Sequence, residues 1–318
     1  MAIIRSVTLL CMARVSVIVP NYNYAPYLEQ RMESILSQTF EDYEIILLDD
    51  KSTDNSLEII NKYRNNPKVS KVILNEVNSG SPFVQWERGV DASSGEIIWI
   101  AESDDTCTPS FLETLVNIYD ENNSVLAFCR SLLVDERGDK LRENYQMSAA
   151  THDFCLDGKK FISEYLCYSN EVQNASCAIF SRQVAKEIDK DYMSFKGAGD
   201  WLFWLKIAER GNVSFSNSIC NNYRLHNNTT SKVVRSGLEF REMKTIYEWL
   251  YENHYVNCEQ LEKCKYINLR LIASLKEIPT EIQKDLYRMW GVKPYVLSYF
   301  KFRGFLNKVY YYLKYRLK

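Results

Sequence analysis

The sequence predicts an α/β fold in which a mostly parallel central sheet is flanked by helices and followed by a helical C-terminal region. Between residues 15 and 105, short apolar runs alternate with longer amphipathic stretches, the pattern of strands joined by right-handed helical crossovers. Polar clusters follow several of the apolar runs, as expected at the ligand-binding edge of such a sheet. The 318 residues, 46 % of them apolar and 25 % charged, are enough for one large domain with an appendage.

The elements of the first part follow from length and periodicity. Apolar runs with the length of buried strands lie at 15–19, 44–48, 69–74 and 97–101. Amphipathic stretches that predict helices lie between them, at 27–38, 56–65 and 83–92. Ser, Thr and Asp in "DDKSTDNS" precede the second of these helices and are typical helix-capping residues. The carboxyl ends of the strands carry "PNYN", "DDKSTD" and "ESDD", which we expect to converge on one edge of the sheet.

The rest of the chain is mixed and then helical. Helices are predicted at 111–119 and 200–209, strands at 125–133 and 175–181, and further helices at 238–252 and 259–276. No repeat or low-complexity linker separates these segments. We therefore predict an N-terminal extension at 1–14, one catalytic-type domain at 15–230 with halves at 15–105 and 106–230, and a helical appendage at 231–318.

Charge and cysteine usage limit the classes of protein that fit. The net charge of −2 and the absence of a recognised binding motif argue against nucleic acid as a partner. Nine cysteines without a CxxC pair indicate free thiols in a reducing compartment, so we expect a cytoplasmic protein. Residues 1–11 are interpreted as a dispensable extension, with Met12 as the start, because the first core strand follows directly.

The C-terminal tail has a composition of its own. Residues 286–318 contain eight Lys or Arg and no Asp or Glu, interleaved with Tyr, Phe and Leu. Such a segment either packs as a helix on its own domain or lies on an anionic membrane surface. No run of the chain is apolar over the length that a transmembrane helix needs.

The stretch "IIWIAESDD" places three carboxylates directly after a buried strand. Capping of the following helix explains one or two of them but leaves Glu102 unexplained. Carboxylates gathered at a strand end suit a hard divalent cation that takes substrate phosphate oxygens as further ligands. The glycine-rich motifs GxGxxG and GxxxxGK[ST] are both absent, which argues against a dinucleotide or P-loop site.

Three segments together resemble glycosyltransferase family 2. They are "VSVIVPNYNYAPYLEQRMESILSQTFEDYEIILLDDKSTDNS", "GEIIWIAESDD" and "GAGDWLFWLKIAERG", in the expected order over roughly residues 15–230. The resemblance implies a GT-A fold and an inverting enzyme that uses a nucleotide-sugar donor. It also implies that residues 15–105 bind the donor and that 106–230 form the acceptor side.

By this resemblance, seven residues lie against the donor: Pro20, Tyr22, Asp50, Ser79, Gly80, Glu102 and Ser103. Pro20 and Tyr22 would border the base, and Asp50 would accept a hydrogen bond from it, which favours a UDP-sugar through the uracil N3–H. Glu102 stands where the family's DxD motif usually has Asp, so its longer side chain is expected to meet ribose or a metal-bound water. Trp86 is expected to pack in the core.

The resemblance also implies a metal and a base. Asp104 matches the direct metal ligand of the DxD position, and His226 in "YRLHNNTTS" matches a histidine that approaches the metal or the diphosphate. The expected cofactor is a divalent metal, Mn²⁺ or Mg²⁺. Asp200 in "GAGDWLFW" matches the catalytic base, flanked by Gly197 and Gly199, which would let the backbone approach substrate.

The function we predict from the sequence is inverting transfer of a sugar from a nucleotide-sugar donor to a hydroxyl of a glycan or lipid-linked acceptor, in surface polysaccharide biosynthesis. The enzyme would be cytoplasmic, with a peripheral membrane contact through its tail. A sugar-1-phosphate nucleotidyltransferase would share such a sheet and metal site, but "PNYNYAPY" lacks the basic loop expected of it. A non-catalytic sugar-nucleotide-binding protein is the third alternative; the joint presence of Asp50, Asp104 and Asp200 argues against it.

Overall fold

The computed structural model describes residues 13–143, 147, 150–226, 235–293, 295 and 298. The expectations about the start at Met12 and about the basic tail beyond residue 298 concern residues outside this range. Within the described range, no helix is both long enough and apolar enough to cross a bilayer.

Ten strands of the described chain form one sheet. They are β1 (Val15–Asn21), β2 (Tyr43–Asp49), β3 (Val69–Leu74), β4 (Ile97–Ile100), β5 (Thr106–Cys107), β6 (Ser124–Val134), β7 (Lys140–Glu143), β8 (Phe154–Asp157), β9 (Ala178–Ser181) and β10 (Asn212–Arg224). Their order is β3-β2-β1-β4-β9-β6-β10-β5, with β7 beside β6 and β8 beside β10. The predicted α/β sheet with flanking helices is confirmed.

The described α-helices are α1 (Ala25–Leu36), α2 (Ser56–Tyr63), α3 (Pro82–Ala92), α4 (Phe111–Glu121), α5 (Gly158–Phe161), α6 (Arg182–Glu187), α7 (Gly199–Ala208), α8 (Leu238–Glu252), α9 (Cys258–Ser274) and α10 (Thr280–Met289). A π-helical turn at Ile162–Leu166 continues α5. Helix α1 begins two residues earlier than predicted, at Ala25, because Pro26 is well accommodated in a first helical turn.

The parallel strands β1, β2, β3 and β4 are the part that the periodicity predicts best. Strand β1 lies between β2 and β4, and both neighbours run parallel to it. All residues of β1 and β4 are buried, as continuous apolar strands covered on both faces should be. Because these strands run in the same direction, the polar residues that follow β1, β2 and β4 come to one edge of the sheet.

The observed sheet adds four strands that the sequence analysis did not predict, β5, β7, β8 and β10, and it orients β9 antiparallel. Strand β9 lies antiparallel between β4 and β6, so the sheet is mixed rather than continuously parallel. Strand β10 was not predicted, because "NVSFSNSICNNYR" is rich in Ser and Asn and alternates apolar with polar residues only over its first five positions. Its polar side chains are buried in hydrogen bonds instead: Asn221 donates to Ser131 Oγ at 3.0 Å, and the hydroxyls of Ser214 and Ser124 lie 2.8 Å apart.

The chain forms two compact units. The described residues of the first unit lie within 1–156, 172–188 and 210–224 and include the sheet; those of the second lie within 157–171, 189–209 and 225–318. The second unit is helical, and its helix α7 is buried along most of its length, with Trp201 Nε1 donating to the carbonyl of Leu166 at 2.9 Å. These units do not coincide with the domain boundary predicted at residue 230, which stays a prediction.

Candidate active site

A cavity of about 310 Å³ opens in the first unit, beside the residues that follow β1, β2 and β4. Its lining residues are Pro20, Asn21, Tyr22, Tyr24, Asp50, Asn78, Gly80, Ser81, Pro82, Gln85 and Glu102. Five of the seven residues predicted to contact the donor are among them. The other two, Ser79 and Ser103, are hydrogen-bonded to lining residues. Tyr22 is the most accessible aromatic side chain of the cavity, with 46 % of its surface exposed.

Asp50 is a buried carboxylate that its surroundings hold in place. Its Oδ2 accepts from Ser79 Oγ at 2.7 Å, and its Oδ1 accepts from the Ser79 amide at 2.9 Å and from Gln85 Nε2 at 3.0 Å. Asn75 Nδ2 donates to the same Oδ1. Asp50 follows β2 directly, and a bound base would compete for lone pairs that already have donors.

The turn at 78–81 closes one side of the cavity. Gly80 has a φ of 70°, a conformation that L side chains rarely adopt. A Cβ at this position would meet only Asn78, at 3.9 Å, so the backbone conformation rather than space selects glycine. Asn78 binds this turn to β2, since its Nδ2 donates to the Asp50 carbonyl at 2.9 Å and its Oδ1 accepts from the Gly80 amide at 2.8 Å.

The acidic loop, residues 102–105, follows β4, and each of its carboxylates has different surroundings. Glu102 Oε1 accepts from Trp86 Nε1 at 2.8 Å, so the packed Trp86 also orients a site carboxylate. Ser103 is buried, and its hydroxyl donates to the carbonyl of Pro20 at 2.7 Å. Asp105 is buried as well and accepts from the amide of Arg224 and from Asn174 Nδ2, both at 2.9 Å. Asp104 is half-buried between these anchored neighbours.

The electrostatics of this loop fit a cation. Burial, followed by the charge of Asp104, raises the pKa of Glu102 to about 8 and raises that of Asp105 as well. The atoms of this loop that could bind a metal are carboxylate oxygens, which Mg²⁺ and Mn²⁺ prefer as ligands. Among the described residues, no three His, Cys, Asp or Glu side chains are arranged to hold one ion. The residues therefore fit a cation that draws most of its ligands from water and a bound diphosphate.

Two arginines that the sequence analysis missed support the acidic loop. Arg224, at the end of β10, donates from Nε to the carbonyl of Asp104 at 2.7 Å and from Nη2 to Gln30 Oε1 at 2.9 Å. Arg31, on α1, is fully buried, and its guanidinium lies 4.8 Å from the centre of the Trp99 ring. None of the Arg31 nitrogens has a hydrogen-bond partner among the described residues. The positive charge of Arg31 opposes the rise in the pKa of both Glu102 and Asp105.

Asp200 belongs to the second unit, in the first turn of α7. Its Oδ2 accepts from Asn170 Nδ2 at 2.8 Å. Burial raises the pKa of Asp200 to about 7; the hydrogen bonds from the Trp201 amide and Asn170 oppose this rise, and the charge of Glu239 adds to it. A carboxyl group with this pKa can accept and release a proton near neutral pH.

His226 follows β10 by two residues, is half-buried and falls in the second unit. Its role as a metal ligand stays a prediction. Glu242 on α8 is a further residue that the sequence analysis missed. It accepts hydrogen bonds from the loop that precedes Asp200, and nothing in its amphipathic helix distinguishes it from a surface glutamate.

Known proteins resemble this chain in sequence. The sequence model of Glycosyl transferase family 2 matches residues 16–189. An uncharacterized glycosyltransferase of Nostoc sp. is 24 % identical over 319 residues, which cover 96 % of this chain and 94 % of the relative. The poly(ribitol-phosphate) beta-N-acetylglucosaminyltransferase TarS of Staphylococcus aureus is 34 % identical over 131 residues, which cover 40 % of this chain and 22 % of TarS.

Solved structures resemble it in fold. The crystal structure of S. aureus TarS 1–349 in complex with UDP superposes with a TM-score of 0.61 at 20 % identity, over 92 % of each chain. The complex with UDP-GlcNAc superposes with a TM-score of 0.56 at 21 % identity, over 86 % of this chain and 71 % of that one. At such identities the likeness shows the GT-A fold alone. Since the family model matches more than half of the sequence, the protein belongs to glycosyltransferase family 2 and is a glycosyltransferase.

Proposed function

We propose that this enzyme transfers a sugar from a nucleoside diphosphate donor, preferably a UDP-sugar, to a hydroxyl of a glycan or lipid-linked acceptor, with inversion. The observation that carries the proposal is the cavity at the sheet edge, which Pro20, Tyr22, Asp50, Gly80 and Glu102 line together. The TarS structures with UDP and with UDP-GlcNAc support a uridine nucleotide. Poly(ribitol-phosphate) glycosyltransferases among the relatives support a role in surface polysaccharide biosynthesis, although this chain covers only 20–22 % of their length.

The donor would be held by its base and its ribose. Tyr22 offers an accessible ring on which a base can stack, and Pro20 borders the same cavity. Asp50 would accept the N–H of the base in place of one of its present donors, such as the Ser79 hydroxyl. Glu102, oriented by Trp86, would accept from a ribose hydroxyl or from a metal-bound water.

Asp200 would be the general base. It would take the proton of the acceptor hydroxyl while that oxygen forms a bond to the anomeric carbon of the donor sugar. The bond between the anomeric carbon and the diphosphate oxygen breaks, and the nucleoside diphosphate leaves with the electron pair. Displacement by one attacking group, with no covalent enzyme intermediate, inverts the anomeric centre. The pKa of Asp200, about 7, suits this proton transfer.

A divalent cation would be held by Asp104, with His226 as its second protein ligand. When bound, it would supply the positive charge that stabilises the departing diphosphate. Glu102, Ser103 and Asp105 would keep the acidic loop in place, through the hydrogen bonds described above. A histidine ligand favours Mn²⁺ over Mg²⁺.

A membrane contact through the basic tail would bring the enzyme to a lipid-linked acceptor. Residues 286–318 carry the cationic and aromatic side chains that anionic lipid surfaces attract. We propose a cytoplasmic enzyme that attaches peripherally and reversibly.

A panel of nucleotide sugars, each with Mn²⁺ or with EDTA, tests the proposal. Thermal shift reports donor binding, and slow release of nucleoside diphosphate reports hydrolysis in the absence of acceptor. We expect one donor class to stabilise the protein with Mn²⁺ and to lose most of its effect with EDTA. A folded protein that responds to none of the donors would contradict the proposal.

A further inference from the structure

The loop before Asp200 lacks a cap of its own. Helix α7 begins at Gly199, and Ala198 at its N-cap makes no side-chain hydrogen bond to the helix. The amides of residues 196–198 come just before the first turn and need acceptors from elsewhere in the fold. Lys196 is exposed and Gly197 has no side chain, so side-chain packing at these two positions does not hold this loop.

Glu242 supplies those acceptors. Its Oε1 accepts from the amide of Lys196 at 2.7 Å, and its Oε2 accepts from the amides of Gly197 and Ala198, both at 2.8 Å. Three charge-assisted bonds from consecutive amides to one carboxylate define both the position and the direction of the loop. Only 8 % of the Glu242 surface is exposed, so water competes weakly for these donors.

Helix α8 holds Glu242 in place because one face of the helix is buried. Ile246 and Leu250 of this helix are fully buried. The ring of Tyr247 meets that of Trp201, the residue after Asp200, edge to face with 5.6 Å between centroids. Glu242 therefore connects a packed helix to a loop that ends two residues before Asp200.

We propose that Glu242 is a positioning residue for Asp200, and that α8 is thereby part of the catalytic machinery rather than an appendage. The inference rests on the proposed role of Asp200 as general base. By fixing residues 196–198, Glu242 sets where α7 begins and so where the carboxylate of Asp200 lies. A second restraint is the hydrogen bond from Asn170 to the Oδ2 atom of Asp200. A base that is displaced by about 1 Å loses up to about a hundredfold in rate.

Hydrogen exchange tests the positioning without reference to activity. In Glu242→Gln, one of the two acceptor oxygens becomes an NH₂ group, which cannot accept hydrogen bonds from the loop amides. We expect the amides of residues 196–198 to exchange at least about tenfold faster than in the wild type. Glu252→Gln, which changes an exposed carboxylate of the same helix, serves as the matched control and should leave them unchanged. Unchanged protection in Glu242→Gln would overturn the proposal.

Kinetics tests the consequence for catalysis. We expect Glu242→Gln to lower kcat by about tenfold to a hundredfold while KM for the donor stays within about twofold. Glu242→Asp keeps the charge but withdraws it by one methylene, so its kcat should lie between those of the wild type and Glu242→Gln. Ile246→Val, a destabilising change on the same helix that leaves Glu242 in place, controls for loss of stability. A kcat of Glu242→Gln no lower than that of Ile246→Val would overturn the proposal.

The proposed role of Asp200 as base and the proposed role of Glu242 in positioning it can be refuted independently. If Asp200→Asn retains full turnover, the assignment of the base is wrong whatever Glu242 does. If Asp200→Asn is inactive while Glu242→Gln keeps the kcat of the wild type, the base stands and the positioning role of Glu242 is wrong.

Discussion

Two carboxylates of this enzyme are held in opposite ways. Asp50 accepts from Asn75, Ser79 and Gln85 and is nearly fully buried, so it is a fixed acceptor. Among the residues that the structure describes, Asp200 has one side-chain donor, Asn170, and burial raises its pKa to about 7. The first arrangement suits recognition of a ligand N–H, and the second suits transfer of a proton.

Replacement of Asp200 by Asn separates binding from chemistry. Because the amide cannot accept the acceptor's proton, we expect Asp200→Asn to lower kcat by about a hundredfold to ten-thousandfold. The Kd for the donor, measured by calorimetry, should stay within about twofold. Asp285→Asn, which alters an exposed residue of α10, is the control for loss of a carboxylate. Turnover equal to that of the wild type would refute the assignment.

The pH profile reports the environment of Asp200. The deprotonated carboxylate of Asp200 predominates above the pKa of this group, so kcat/KM should rise with pH and level off above about 7. The bond from Asn170 favours the charged form, and its removal in Asn170→Ala should raise the pKa and move the acidic limb to higher pH, by about one unit. Asn253→Ala, an exposed control, should not move it. A shift to lower pH in Asn170→Ala would contradict the account.

The sequence allowed prediction of the acidic residues but of few of their partners. Asp50, Glu102 and Asp104 stand at strand ends, where local patterning shows them. Their supports come from far along the chain, and Arg224 binds Asp105 across 119 residues. A buried Arg or Glu in an ordinary amphipathic segment has no local signal, because burial of a charge is decided by the tertiary structure.

At the scale of elements, hydrophobic periodicity predicted the strands and helices whose positions are set by burial of apolar side chains. Strands β1 to β4 and helices α1 to α3 follow their predicted segments closely because one continuous pattern specifies each. Strand β10 escaped prediction because hydrogen bonds, such as that of Asn221 to Ser131, satisfy its buried polar face. The antiparallel insertion of β9 depends on connections that no local pattern encodes.

The contact between α3 and β1 depends on Gly89. A Cβ at this position would overlap the side chain of Ile18. We therefore expect Gly89→Ala to lower the free energy of unfolding by about 1–3 kcal/mol despite the better helix propensity of Ala. In an Ile18→Ala background, where the overlap is relieved, the same change should be much less destabilising. Denaturant unfolding of the four variants of this cycle measures the coupling, and additive effects would contradict the contact.

At the scale of the whole molecule, charge is unevenly distributed. The chain has a net charge of −2, yet residues 286–318 contain eight basic residues and no acidic one. We expect the full-length protein to bind vesicles with anionic lipid at low salt and to dissociate at about 0.5 M salt, because the attraction is electrostatic. Vesicles of phosphatidylcholine alone should bind little.

A charge-matched pair of variants tests the tail. One variant changes Lys301, Arg303, Lys308 and Lys314 to Gln, and its control changes the exposed Lys62, Lys159, Lys263 and Lys276 to Gln. We expect only the first to lose most vesicle binding, at about 1 kcal/mol per residue. Equal losses in both would show that net charge alone, and not the tail, directs the protein to the membrane.

The central claim is that the cavity at the sheet edge binds the nucleotide of a sugar donor. Tyr22 tests it most directly, because this side chain lines the cavity and is 46 % exposed, so its loss should leave the core intact. The measurement is the calorimetric Kd of UDP with Mn²⁺ for the wild type, Tyr22→Ser and Tyr251→Ser, a control at a tyrosine that is 42 % exposed. The account predicts about tenfold weaker binding for Tyr22→Ser alone, as loss of base stacking implies. Equal affinity of all three proteins, or no binding of UDP by the folded wild type, would contradict it.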